Sequence, residues 1–119
     1  MKKLVLIDDW EQTTERVREA VGTSYEILIA SPKKGEALSM VIEEKPDIIL
    51  LSWILLKDAI GVDMLKRIKK ALPKVILILT TTVADLESFL MNAGADAVVH
   101  KPFDLGKLRE IIDEKVAGI

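Results

Sequence analysis

Cysteine is absent, and histidine occurs once, at His100. Without a thiol there is no disulfide, thiolate metal site or cysteine nucleophile, and one imidazole cannot build a multi-histidine cluster. Long apolar runs are missing too: no stretch approaches the roughly 20 residues that cross a bilayer. Met1-Lys2-Lys3 gives a basic start, but only Leu4 to Ile7 follow before Asp8 and Asp9. That is too short a core for a secretory leader, so a soluble cytoplasmic protein without a membrane partner is expected. A basic excess is also lacking. Seventeen Lys and Arg face 19 Asp and Glu, a net charge of -2, which argues against general nucleic-acid binding. Half of the 119 residues are apolar and 30% are charged, which excludes the disordered class and predicts one domain over residues 1–119.

Five short apolar runs punctuate the chain: Leu4 to Ile7, Ile27 to Ala30, Ile48 to Leu51, Val75 to Leu79 and Ala97 to Val99. They are continuous, not alternating, as strands are when a parallel sheet is covered on both faces. The stretches between them carry helical spacing. The clearest runs from Asp104 to Val116, with Leu105, Leu108, Ile111, Ile112 and Val116 on one stripe and Asp104 as N-cap. Further helices are predicted near Glu11 to Val21, Gly35 to Glu44, Val62 to Ala71 and Val83 to Ala93. Gly22 and Gly94 stand where left-handed C-terminal residues belong, Thr82 and Asp85 have capping-box spacing, and Pro46 and Pro73 precede the next strands. Repeated βα units with short connections predict an α/β fold, an open doubly wound parallel sheet between helices.

In such sheets ligands gather at the carboxyl ends of the strands. There the sequence places Asp8 and Asp9 after strand one, Ser52 after strand three, Thr80 after strand four and Lys101 after strand five. Two adjacent carboxylates suit Mg²⁺ and repel a bare phosphate, so a flavin-phosphate cradle after strand one is disfavoured. A corrinoid site would need a histidine in the first loop region, which has none. A cap on the helix near Glu11 is an adequate explanation for one of the two acids, but not for the pair in tandem.

The chain resembles the receiver domain of two-component response regulators over essentially its whole length. The matching pieces are Leu6-Ile7-Asp8-Asp9, Gly35-Glu36-Ala37-Leu38, Lys45 to Leu51, Ile78-Leu79-Thr80, Ala93 to Ala97 and Lys101-Pro102-Phe103. The resemblance implies a five-stranded flavodoxin-like sheet of order 2-1-3-4-5. It also implies that Asp8 and Asp9 bind Mg²⁺, that position 52 accepts a phosphoryl group from a histidine kinase, and that Thr80 and Lys101 contact that group. In the family Lys-Pro pairs such as Lys101-Pro102 are typically cis.

Position 52, however, is serine, where the family's run ends in aspartate. An aspartate is an ionised nucleophile near neutral pH, whereas a serine hydroxyl needs a general base within hydrogen-bond reach. His100 immediately precedes Lys101, so alternation points it to the opposite face. Asp47 begins strand three, roughly 16 Å from its far end at about 3.3 Å per residue. Asp58 and Asp63 lie beyond the next loop, and of the two Asp58 is the better substitute acceptor. That loop opens with Trp53, Ile54, Leu55 and Leu56, either an apolar patch for a protein partner or an extension of the core. Val98 stands where the family often has a switching aromatic. Thr80 is expected to satisfy a local backbone group and Lys101 to pair with Asp8 or Asp9, while Trp10 and Trp53 either flank or plug the pocket or serve as core or half-buried filler.

The resulting expectation is a receiver-like protein, not an enzyme, that works in two-component or phosphorelay signalling through protein contacts. It needs no cofactor, with Mg²⁺ binding at Asp8 and Asp9 a vestige if retained. The alternative is a Mg²⁺-binding regulator modified elsewhere, such as at Asp58. Partners implied by the resemblance are a histidine kinase or an output protein, with the chain a monomer or a weak homodimer through helix four, strand five and helix five. No DNA-binding segment follows Ile119 in this sequence, so an effect on transcription is expected to pass through another chain.

Overall fold

The Ile, Leu and Val runs form parallel strands because helices cover both sides of them. The computed structural model describes residues 1–8, 11–30, 33–53, 59–83, 85–102 and 104–118. Along them β1 (Lys2–Ile7), α1 (Glu11–Val21), β2 (Tyr25–Ile29), α2 (Lys34–Glu44), β3 (Ile48–Ser52), α3 (Ala59–Ala71), β4 (Ile76–Thr81), α4 (Glu87–Asn92), β5 (Ala97–His100) and α5 (Leu105–Ala117) follow in turn. The strands are parallel, in the order β2-β1-β3-β4-β5.

Side-chain alternation splits the interior into two cores. Val5, Ile7, Ile49, Leu51, Leu77 and Leu79 pack with Ala37 and Val41 of α2, Leu65 and Ile68 of α3, and Leu90 of α4. Leu4, Leu6, Ile48, Leu50, Ile78 and Val99 face the other way, onto Val17 and Val21 of α1 and Leu108 and Ile112 of α5. Each strand therefore carries apolar residues on both faces, which is why its run does not alternate.

Arg109 locks the second layer. Its guanidinium donates to the carbonyls of Ala20 and Val21 at 3.5 and 3.1 Å, and to the Ser24 hydroxyl at 3.2 Å. A cation thus meets the negative end of α1 while it pairs with Asp113 at 2.8 Å on its own helix. The Tyr25 hydroxyl donates to the same Asp113 at 3.2 Å. Burial first, then this bond and the Asp113 charge, hold the Tyr25 phenol above its usual pKa of 10.0.

Asp104 caps α5 as expected, accepting from the Lys107 N–H at 3.0 Å. Gly22 and Gly94 have φ of 61° and 118°, so both occupy the left-handed region. Helix α4 differs from expectation: it starts at Glu87, not Val83. Asp85 has φ 64°, which turns the chain out of the helical path, and Leu86 is the N-cap without a side-chain bond. The capping box of Thr82 and Asp85 is therefore not formed. In the opposite sense, α3 begins at Ala59, ahead of Val62, and β1 and β2 begin at Lys2 and Tyr25. Those strand starts pair through main-chain bonds, Lys2 level with Tyr25, which apolar patterning does not register.

Candidate functional site

At the carboxyl edge the alternation that built the α1/α5 core continues into polar residues. Ser52 follows Leu50, Thr80 follows Ile78, Asp8 follows Leu6 and Lys101 follows Val99, each two residues on and so on the same face. Register brings them level. Ser52 pairs with Thr80, and Ile7 pairs with Leu51, so Asp8 stands beside Ser52. Lys101 is tied to the end of β4 by its N–H, which donates to the Thr81 carbonyl at 2.8 Å, and its bond to Pro102 is cis.

The Lys101 ammonium lies 2.6 Å from the Asp8 carboxylate, with side-chain exposures of 5% and 2%. This is the ion pair anticipated from the acidic strand end. A buried carboxylate is costly unless paired, and the ammonium supplies both the counter-charge and a charge-assisted hydrogen bond. Ser52 and Thr80 are buried beside it, and the Thr80 hydroxyl has no hydrogen-bond partner. The expectation that Thr80 satisfies a strand-end backbone group is thus corrected: Thr81 does so, accepting from the Val83 N–H at 3.0 Å.

The remaining expected residues are distributed by topology. Asp47 sits at the opposite pole, where its carboxylate accepts from the Lys3 N–H at 2.9 Å. Asp63 is on α3 and pairs with Arg67 at 2.7 Å. His100 is exposed at the end of β5, one residue out of phase with Lys101. Asp9, Trp10, Ile54, Leu55, Leu56 and Asp58 lie outside the described residues.

Trp53 is half-buried against the α2/α3/α4 core, and its ring meets that of Phe89 edge-on, with centroids 5.6 Å apart at 79°. Phe89 itself is 54% exposed, and Val83 and Met91 are exposed near it in sequence. The sequence reading missed Phe89. Its signal is an aromatic beside buried Leu90 on a short helix, at a position that a single apolar stripe leaves outside.

Mg²⁺ takes hard oxygen ligands, usually with one or two carboxylates among them. Among the described residues the carboxylate at this edge is Asp8, already engaged by an ammonium, and Ser52 offers a neutral hydroxyl. The described donors at this edge are thus one ion-paired carboxylate and one neutral hydroxyl. Among the described residues no three His, Asp or Glu side chains converge into a metal-sized group, and no described helix is long and apolar enough to cross a membrane.

Comparison with known proteins agrees with this topology. The family described as response regulator receiver domain matches residues 4–113. The response regulator protein VraR of Staphylococcus aureus is 33% identical over 103 residues, 83% of this chain and 49% of that protein. The chain thus spans about half the length of the curated relatives it matches. A CheY-like receiver domain protein from Methanospirillum hungatei superposes with TM-score 0.81 at 29% identity, covering 99% of this chain and 95% of the other. A response regulator from Thermotoga maritima shares the fold, with TM-score 0.85 at 19% identity and 98% of each chain covered.

Proposed function

Because the chain belongs to the response regulator receiver domain family, we propose that it is a receiver that has given up aspartyl phosphorylation at position 52 and signals through protein contacts. The observation that carries this reading is Ser52 itself. It ends β3 beside Asp8 and Thr80, where the resemblance puts the phosphoacceptor, and it is a buried neutral hydroxyl. No described histidine or free carboxylate faces it as a base: His100 is on the other face, and Asp8 is held by Lys101.

On this reading the Lys101–Asp8 pair balances the site's charge internally, so the fold needs no Mg²⁺. Residues 1–119 act as one unit, a cytoplasmic adaptor and not an enzyme, in a two-component-type pathway. Its partner is a histidine kinase or an output protein, and it does not engage nucleic acid. The contact surface is the face of α4, β5 and α5, with the apolar sequence Trp53 to Leu56 as a separate candidate patch. Val83, Phe89 and Met91, each exposed on or just before α4, support that choice, since exposed apolar side chains are available for protein contacts.

Amide NMR spectra test the proposal, recorded on the native protein and on Ser52→Asp before and after adding a small-molecule phosphodonor with Mg²⁺. The native spectrum should stay unchanged, while Ser52→Asp shifts resonances of Thr80, Lys101 and α4. A donor-dependent shift of those resonances in the native protein would refute the loss of phosphorylation.

A further inference from the structure

Helices α2 and α3 lie side by side on the sheet and leave between them a groove of about 730 Å³. Its floor is apolar: Leu38 and Ile42, one turn apart on α2, with Ile42 42% exposed, and Ala71 at the end of α3. Its α3 side is mostly basic: Lys66, Arg67 and Lys70, all exposed, line it together with one acid, Asp63. Residues 63–74 hold five of the chain's 17 Lys and Arg and one of its 19 Asp and Glu, in a protein whose net charge is -2.

Local roles account for part of this concentration only. Lys69 turns away from the groove, to the Asp96 carboxylate at 3.0 Å and the Val75 carbonyl at 3.1 Å. The one acid, Asp63, is neutralised by Arg67 at 2.7 Å. A cation in the last turn complements the helix dipole, which explains Lys70. It does not explain Lys66, a full turn earlier, or the open apolar floor beside both. Lys66 and Lys70 are i and i+4 neighbours and share one face of α3, as Leu38 and Ile42 share one face of α2, and all four line the groove.

We propose that this groove docks an amphipathic helical segment of another protein, apolar along one stripe and flanked by Asp or Glu. The floor takes the apolar stripe as helix-in-groove recognition does, and the two lysines take the acids. A second copy of this chain is a poor occupant, because symmetric pairing sets one basic rim against the other. Nucleic acid would meet the rim but leave the floor uncovered. The proposal is independent of the phosphorylation state of position 52, since neither helix face is part of the strand-end site.

Fluorescence anisotropy at low salt tests it, using the native chain and a labelled designed helix of about 18 residues, five turns. The helix carries Leu at i, i+3, i+4 and i+7 with Glu flanking. The same peptide with Lys for Glu, and a labelled single-stranded oligonucleotide, are run beside it. The acidic helix should bind, and Lys66→Glu combined with Lys70→Glu should weaken it by about tenfold or more, as should Ile42→Asp. The control pair Lys2→Glu with Arg18→Glu makes the same charge change elsewhere and should change binding by less than about threefold. No binding of the acidic helix up to about 1 mM overturns the proposal. So does equal binding of the Lys peptide or the oligonucleotide, or a control pair as damaging as the groove pair. Circular dichroism confirms that each surface variant is folded.

Discussion

Lys101 and Asp8, 93 residues apart, meet at 2.6 Å with both side chains almost fully buried at the carboxyl edge of the sheet. The contact ties the end of β5 to the end of β1 across the two strands between them. It also sets an ammonium directly against the buried Asp8 carboxylate.

Removing one partner should therefore cost more than removing both. Lys101→Met leaves a buried carboxylate without this counter-ion and is expected to destabilise by about 3 kcal/mol. Asp8→Asn added to it should restore at least about 1 kcal/mol, since neutral pairs escape the desolvation penalty. Urea unfolding of the four proteins measures the cycle. Additive losses would mean that the pair carries no coupling.

Thr80 and Thr81 should respond oppositely to the same change. Thr80→Val replaces a buried hydroxyl that has no partner with a methyl of the same shape, so stability should hold or rise by up to about 1 kcal/mol. Thr81→Val removes the acceptor of the Val83 N–H and should cost about 1 kcal/mol. Chemical denaturation reads both. A clear loss in Thr80→Val would show that its hydroxyl is bonded.

Tyr25 gives the protein an alkaline limit. Its phenol titrates above 10.0 in the folded state because burial and Asp113 oppose the phenolate. The folded chain then holds this proton at pH values where the unfolded chain has lost it. Stability from this group is intact below 10.0 and falls as pH rises through the raised folded value. Tyr25→Phe should flatten that part of the stability curve, followed by thermal unfolding between about pH 9 and 11. An unchanged slope would assign the alkaline loss to other groups.

Much of this layout was legible in the residues, for reasons that also mark where reading fails. The five strands showed because burial on both faces leaves continuous Ile, Leu and Val, and the Asp104 cap showed because its side chain acts locally. The four polar strand ends converged because parallel topology brings carboxyl ends to one edge. Helix α4 was read too long: the left-handed turn at Asp85 is a backbone choice that an aspartate tolerates but does not announce. The role of Thr81 was assigned to Thr80, since one step of register separates a hydroxyl facing the site from one facing its own chain. Phe89 escaped notice because it is on α4 while its partner, Trp53, follows β3, and such pairing exists only once the chain is folded.

The central claim is that position 52 no longer accepts phosphate, and intact mass spectrometry tests it most directly. Native protein and Ser52→Asp are incubated with a small-molecule phosphodonor and Mg²⁺ and weighed side by side. The account predicts one added phosphoryl group on Ser52→Asp and none on the native chain. A phosphoryl group on the native chain would contradict it, and fragmentation would then show whether Ser52, Asp58 or another side chain carries the group.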